Sequence, residues 1–505
     1  MEEKIYDFSY KREIGSTQLK TNTKLEIDNL GKVLSVTADS TITNNEVLNG
    51  ELRFVGEVCY ICVYIDDTNT TKSIKHIKEF EGKIENDCIN SLNDPILNSY
   101  ILDTRIERTN DNQLELYSII GIDMYSFITQ SCDRFENKNC ITKSYPITLS
   151  SVIKSGETRI NLEEDFPLKE KPLEILSVNS KLIPKNYQTG TGYIELDAYL
   201  VTQIVYTVSR EEKTEMRSEI LRRDIKEEIE LEGIQKDNRI VLKTDIKNCS
   251  INKTIENQQI KLQIPIDIRY IVFASNEREI VVDAFNTKFE TTLTYESINE
   301  ITKLETYSTT ERIEGEIETD SNESRVNRIL SCDGNKVILS SVNVFDKMLK
   351  IEGIVYENII YQLDDDMGTI TSINAEIPFS IQVEVPYLEQ DDLVSVECEI
   401  IDATNKLKKG RTIEIDNELA IYVSIVGQKY ESILKEVNVS SDPVNTSSTN
   451  FLIYFAKKGN TLWDICKHLK ISEDEIMLQN KDLKFPLQED KTIVCYRKVE
   501  TNYSK

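Results

Sequence analysis

Leu52-Arg-Phe54-Val-Gly56-Glu-Val58-Cys-Tyr60-Ile-Cys62-Val-Tyr64 begins as an alternation of apolar and polar side chains and ends as a continuous apolar run. A period of two, rich in aromatic and β-branched residues, predicts a strand with one buried face. The pattern returns as Ile194-Glu-Leu196-Asp-Ala198-Tyr-Leu200, ending at Tyr206, and as Leu349-Lys-Ile351-Glu-Gly353-Ile-Val355, ending at Tyr361. Ahead of each lies a short signature: Val33-Leu34-Ser35-Val36, Ile175-Leu176-Ser177-Val178 and Ile329-Leu330-Ser331-Cys332. The spacing from signature to strand is the same in the first two copies and slips by one residue in the third. Gly56, Ala198 and Gly353 are small at matching places, which suits a bulge or a close backbone approach in a long strand.

A second alternating block closes each copy. Leu114-Glu-Leu116 leads into Ile120, Ile122 and Met124; Ile260-Lys-Leu262 into Ile266, Ile268 and Tyr270; Ile413-Glu-Ile415 into Leu419, Ile421 and Val423. Each copy has the size of a domain, so the expectation is three beads on a chain, each an antiparallel β-sandwich or a partly closed barrel. The boundaries fall at 1–148, 149–308 and 309–437. Arg210 to Glu232 is dense in charges of both signs, and a helix or a solvated excursion between strands are both open there.

After Val437 the texture changes. Asn438 to Asn450 is small and polar and contains Pro443, which predicts a flexible linker over 438–450. A compact unit follows over 451–498. Leu452 to Ala456 predicts a strand, and Thr461 caps a helix carrying Leu462, Ile465, Cys466 and Leu469. Ser472 with Glu475 predicts a capping box for a second helix, and Thr492 to Tyr496 a closing strand. The fold class expected is mainly β: three tandem antiparallel domains followed by a small βααβ unit.

That last unit resembles a LysM domain through Gly459-Asn460-Thr461-Leu462-Trp463-Asp464-Ile465, Ile471-Ser472, Asn480 and Leu487. The resemblance implies binding of N-acetylglucosamine-containing glycans in a shallow groove, which falls here on Asn460, Thr461, Leu462, Gln479 and Asn480. Glu489-Asp490-Lys491 departs from the glycine-containing turn of that family, and Cys495-Tyr496 stands where Ile-Pro is common. Trp463, the single tryptophan, reads either as a core residue of the first helix or as a contact anchor. Ile465 joins it among the candidate contact residues. The three upstream copies resemble SPOCS domains, on the Leu-Ser signature, the long strand ending in tyrosine and the closing block. Together with the C-terminal unit, the arrangement is similar to that of clostridial spore-coat morphogenetic proteins. The resemblance implies a scaffold in the mother-cell cytosol, recruited to the forespore surface, that binds the coat-basement ATPase SpoIVA. Other coat proteins and a glycan are further partners it allows.

Composition narrows the field. With 60 Lys+Arg against 87 Asp+Glu over 505 residues, the net charge is −27. That balance argues against nucleic acid and against anionic membrane surfaces. The longest apolar run, Val58–Ile65, is eight residues, against about 20 needed to cross a bilayer as a helix. No basic, apolar leader stands at Met1, so the protein is expected to stay where it is made. No phosphate loop, dinucleotide fingerprint, zinc-protease motif or nucleophile elbow occurs, and there are two histidines. No catalytic residue, cofactor or metal site is expected. Asp364–Asp366 and Asp391-Asp392 read as solvated loop charges, with a weak calcium contact or a glycosidase pair as the alternatives. The ten cysteines, including the Cys59-x-x-Cys62 pair, read as buried reduced thiols, with a metal or redox site as the alternative. The expected function is therefore a non-enzymatic scaffold; the alternatives are a peptidoglycan binder acting through LysM and a wall hydrolase targeted by it.

Overall fold

A computed structural model describes residues 5–89, 95–133, 135, 139–210, 213–443 and 451–496. The first segment contains β1 (Ile5–Glu26), β2 (Leu30–Leu48), β3 (Glu51–Asp66), β4 (Thr71–Glu85), β5 (Pro95–Asn110) and β6 (Gln113–Asp133). β2-β3-β4 forms one antiparallel sheet and β1-β6-β5 a second. The predicted alternation accounts for both. Leu52, Phe54, Val58 and Tyr60 from β3 share a single hydrophobic cluster with Leu114, Leu116, Ile120 and Ile122 from β6.

The plan repeats. The second segment has β7 (Ile141–Pro167), β8 (Glu174–Thr189), β9 (Tyr193–Arg210), β10 (Lys213–Glu230), β11 (Arg239–Ile246), β12 (Asn252–Glu256) and β13 (Gln259–Phe285). β8-β9-β10 is one sheet, and β13 is paired with β7, β11 and β12 in the other. The third has β14 (Phe289–Glu318), β15 (Val326–Phe345), β16 (Met348–Leu363), β17 (Ile370–Glu384), β18 (Leu393–Lys408) and β19 (Thr412–Pro443), with sheets β15-β16-β17 and β14-β19-β18. Within the charged stretch, Lys213–Glu230 is a strand, with Met216, Ile225 and Ile229 buried between its charges. Arg217 pairs there with Glu170 and Glu215.

The small residues meet a bulge each. Gly56 lies opposite Ile42, Ala198 opposite Pro184 and Gly353 opposite Leu339, and in every case the register shifts at the next residue. At Gly353 a Cβ would sit 2.7 Å from the Ile338 carbonyl and 2.8 Å from the Phe379 ring. Both expected features, bulge and close approach, thus occur together.

The boundaries differ from the sequence reading. β7 starts at Ile141, ahead of 148, and β14 at Phe289, well ahead of 308. In each segment the first strand precedes the Leu-Ser signature and runs the length of the last strand, so a boundary placed near the signature cuts it. The linker expected over 438–450 begins as strand, since β19 continues to Pro443 opposite Phe289. Val437 is buried there with Leu434, Ala284 and Cys140, which holds the strand in place. Residues 444–450 of that linker lie outside the described residues.

Nor are the segments separate beads. β1, β7 and β14 pack against one another pairwise. The contacts run cyclically. Ser9 Oγ accepts from the Val152 N–H at 2.9 Å, Ser150 Oγ donates to the Ile301 carbonyl at 3.3 Å, and the Lys11 N–H donates to Gln428 Oε1 at 2.5 Å. Segment one thus meets two, two meets three, and three meets one: a heterologous interface that closes. Hydrophobic clusters join all three segments, one with Phe8, Leu149, Ile280 and Ile298, another with Phe127, Phe273, Ile301 and Val426. A third holds Leu34, Val63, Leu176, Val205 and Ile360. The continuous apolar ends of β3, β9 and β16 follow from this: one face fills the segment's own core and the other fills the junction.

The same geometry sorts the cysteines. Cys62 points into the core of segment one, where burial pushes its thiol up to about 12. Cys59, on the opposite face, is joined in a disulfide to Cys249 of segment two. The expectation of reduced thiols fails for this pair because ring closure brings together residues separated by 190 positions. Among the described residues, no group of three or more His, Cys, Asp or Glu is placed to hold a metal, and no helix is long and apolar enough to cross a membrane.

Candidate functional site

The C-terminal unit contains β20 (Phe451–Ala456), α1 (Leu462–Leu469), α2 (Glu473–Gln479) and β21 (Lys491–Tyr496), in the order expected. Thr461 caps α1 in a full capping box: its hydroxyl accepts from the Asp464 N–H, and the Asp464 carboxylate accepts from the Thr461 N–H. Those hydrogen bonds from Thr461 hold the Asp464 carboxyl below its ordinary range. At α2 only half the expected box forms, with Ser472 Oγ accepting from the Glu475 N–H. Ile465, Cys466, Ile471, Ile476, Ile493 and Cys495 make the core between the helices and the two-stranded sheet. Burial pushes the Cys466 thiol up to about 12, so it is an inert core thiol.

The candidate groove residues are held by the fold itself. Asn460 Oδ1 accepts from the Lys457 N–H at 2.8 Å and closes the turn after β20. Asn480 Nδ2 donates to the Val494 carbonyl at 2.9 Å, and its Oδ1 accepts from the Val494 N–H. Gln479 does the same to Tyr496, donating to its carbonyl and accepting from its N–H. The two amides therefore clamp the outer edge of β21. Leu462 is half-buried against the core. The departure at Asp490 has a structural use: its carboxylate accepts from the Lys458 N–H at 2.9 Å and pairs with Lys457 at 3.0 Å, bracing the same turn.

Two candidate contact residues face inward. Ile465 is fully buried in the core of the unit. Trp463 is 6 % exposed; its indole N–H donates to Asp283 Oδ2 at 2.8 Å, and its ring meets Phe285 edge-on at 5.3 Å. Asp283 and Phe285 lie at the end of β13, so the tryptophan is a contact anchor, but toward the second segment of its own chain.

What the unit does present is the outer face of its sheet. Phe451, Ile453 and Phe455 alternate along β20 with exposures of 42 %, 54 % and 72 %, and Tyr496, opposite Phe451, is 64 % exposed with the two rings 5.1 Å apart. Val494 lies between them, opposite Ile453. A contiguous apolar stripe of this kind is the usual mark of an interaction surface. Its signal was in the sequence: Phe451-Leu-Ile-Tyr-Phe-Ala456 is apolar on both faces of a strand, whereas a small two-stranded sheet has a core on one side only.

Residues 325–408 match the family model described as SipL, SPOCS domain. The matched span takes in β15 to β18, the three-stranded sheet of the third segment and the strand that follows it. This similarity supports a sporulation, coat-related protein of the SipL kind. No curated protein and no solved structure matches the chain.

Proposed function

We propose that this chain is a non-enzymatic scaffold of spore-coat assembly, working in the mother-cell cytosol at the forespore surface. In this reading its LysM-like C-terminal unit binds a SpoIVA-type coat-basement ATPase. The observation that carries it is the stripe of Phe451, Ile453, Phe455 and Tyr496 on a unit whose groove amides, Gln479 and Asn480, are already spent on its own backbone. Contiguous exposed apolar patches mark interaction surfaces, and aromatic residues are enriched in protein interfaces. The SPOCS match in the third segment supports the coat setting. The β segments serve as the rigid body from which the unit is displayed.

The test is co-purification of SpoIVA with the full chain, with a chain ending at Pro443, and with Phe455→Glu. Retention by the full chain alone is the expected result. Equal retention by all three would move recognition to the β segments and overturn the reading. Sedimentation of the full chain with peptidoglycan, undiminished in Phe455→Glu, would point instead to the glycan-binding alternative.

A further inference from the structure

The end of the β7–β13 ribbon carries side chains whose principal partners lie in the C-terminal unit, although Asp283 Oδ1 also accepts from the neighbouring Ala284 N–H at 2.9 Å. β13 shifts register between Val281 and Asp283, and immediately beyond the shift stand Asp283 and Phe285. Phe285 is fully buried, yet the cluster that buries it is the core of the C-terminal unit, with Trp463, Ile465 and Cys466, and with Ile141 of β7 packed alongside. Asp283 Oδ2 accepts from the Trp463 indole at 2.8 Å, and Lys467 Nζ lies 2.7 and 2.8 Å from its two carboxylate oxygens. Tyr295 of β14 also reaches this carboxylate. At the end of α1, Lys470 lies 3.8 Å from Glu290.

Trp463 and Lys467 are four residues apart on α1, so one helix face carries both donors to one acceptor. We infer that the ribbon end is a docking cradle for the C-terminal unit, that Asp283 is its latch, and that the unit works from this docked position with a fixed orientation. Removing the unit would uncover Phe285 and the Trp463 indole together and leave the Asp283 carboxylate without its cation. The apolar stripe lies on β20 and β21, away from α1, so it stays open while the unit is docked. The docking stands on contacts separate from those of the proposed function.

Because the chain has a single tryptophan, its emission reads the latch directly. In the full chain the indole should emit at short wavelength and resist acrylamide. Asp283→Ala should shift the emission to the red and raise the quenching constant several-fold, and Lys467→Ala should do so to a smaller extent. Phe455→Glu should change neither, which separates this inference from ATPase capture. As a second readout, a protease site placed over residues 445–449 is cut and the product run on a sizing column. The released C-terminal fragment should travel with the body in the wild type and separate from it in Asp283→Ala. Emission and quenching unchanged in Asp283→Ala, or a wild-type fragment that separates on cutting, would overturn the latch.

Discussion

Ser35 Oγ donates a hydrogen bond to Asp333 Oδ2 at 2.6 Å, joining the first segment to the third across 298 positions. Ser177 of the second segment donates to the same carboxylate. Ser35 and Ser177 are the serines of two Leu-Ser signatures, and Leu34 and Leu176 beside them lie in the hydrophobic cluster shared by all three segments. The signature that marks each repeat is therefore where the repeats meet. Asp333 follows the third signature, and burial raises its carboxyl pKa against the lowering effect of the hydroxyls and the Gly334 N–H.

That raised pKa has a sign. Between the ordinary carboxyl range and the raised value the folded protein holds more protons than the unfolded chain, so this group's contribution to stability falls as pH rises through that window. Above that window the ionised carboxylate is held in a buried site and opposes folding. Asp333→Asn keeps an acceptor for a serine hydroxyl and should raise the Tm at pH 7, with the gain over wild type shrinking toward pH 4. Thermal melts of both proteins across that range provide the check; a gain that grows toward pH 4 would contradict it.

Ile360 is fully buried and belongs to the junction cluster, not to the core of its own segment. Ile360→Ala should cost about 2–5 kcal/mol, as for large aliphatic residues truncated in a tight core. Urea unfolding followed by probes in each segment should show all three destabilised together. A shift confined to the third segment would mean that the segments unfold as independent beads.

Gly353 faces the Ile338 carbonyl and the Phe379 ring at distances too short for a Cβ. Gly353→Ala should therefore destabilise by about 1–3 kcal/mol, the usual cost of overpacking. Backbone cannot move aside as a flexible side chain can, and the bulge opposite is already present. Denaturant midpoints give the measurement, and a neutral substitution would show that the close approach is looser than described.

The Cys59–Cys249 bond ties β3 of the first segment to the turn after β11 in the second. Peptide mapping without reductant should recover these two cysteines in one cross-linked fragment. Cys249→Ser should lower stability by about 2–4 kcal/mol under non-reducing conditions, because the bond constrains a long loop of the unfolded chain. With reductant present the variant and the wild type should melt together.

Much of the molecule was determined by the sequence alone. Alternation with a period of two sets a strand's buried face whatever lies beyond it, so the paired blocks around Leu52 and Leu114, Ile194 and Ile260, and Leu349 and Ile413 were legible as strands sharing a core. The order of the βααβ unit was legible too, since Thr461 and Ser472 act on backbone groups within three residues of themselves. What tertiary structure alone decided is everything that depends on which surface covers which. Local pattern says that Val63, Val205 and Ile360 are apolar, but not that they leave their own cores to meet one another. It says that Trp463 wants burial, but not that Asp283 and Phe285, some 180 positions earlier, provide it. It offers Gln479 and Asn480 as free amides, and the fold turns them onto β21. The physical reason is the same throughout: backbone hydrogen bonding and side-chain periodicity are properties of a short stretch of chain, whereas ring closure, docking and the partners of a buried polar group arise only when distant stretches are brought into contact.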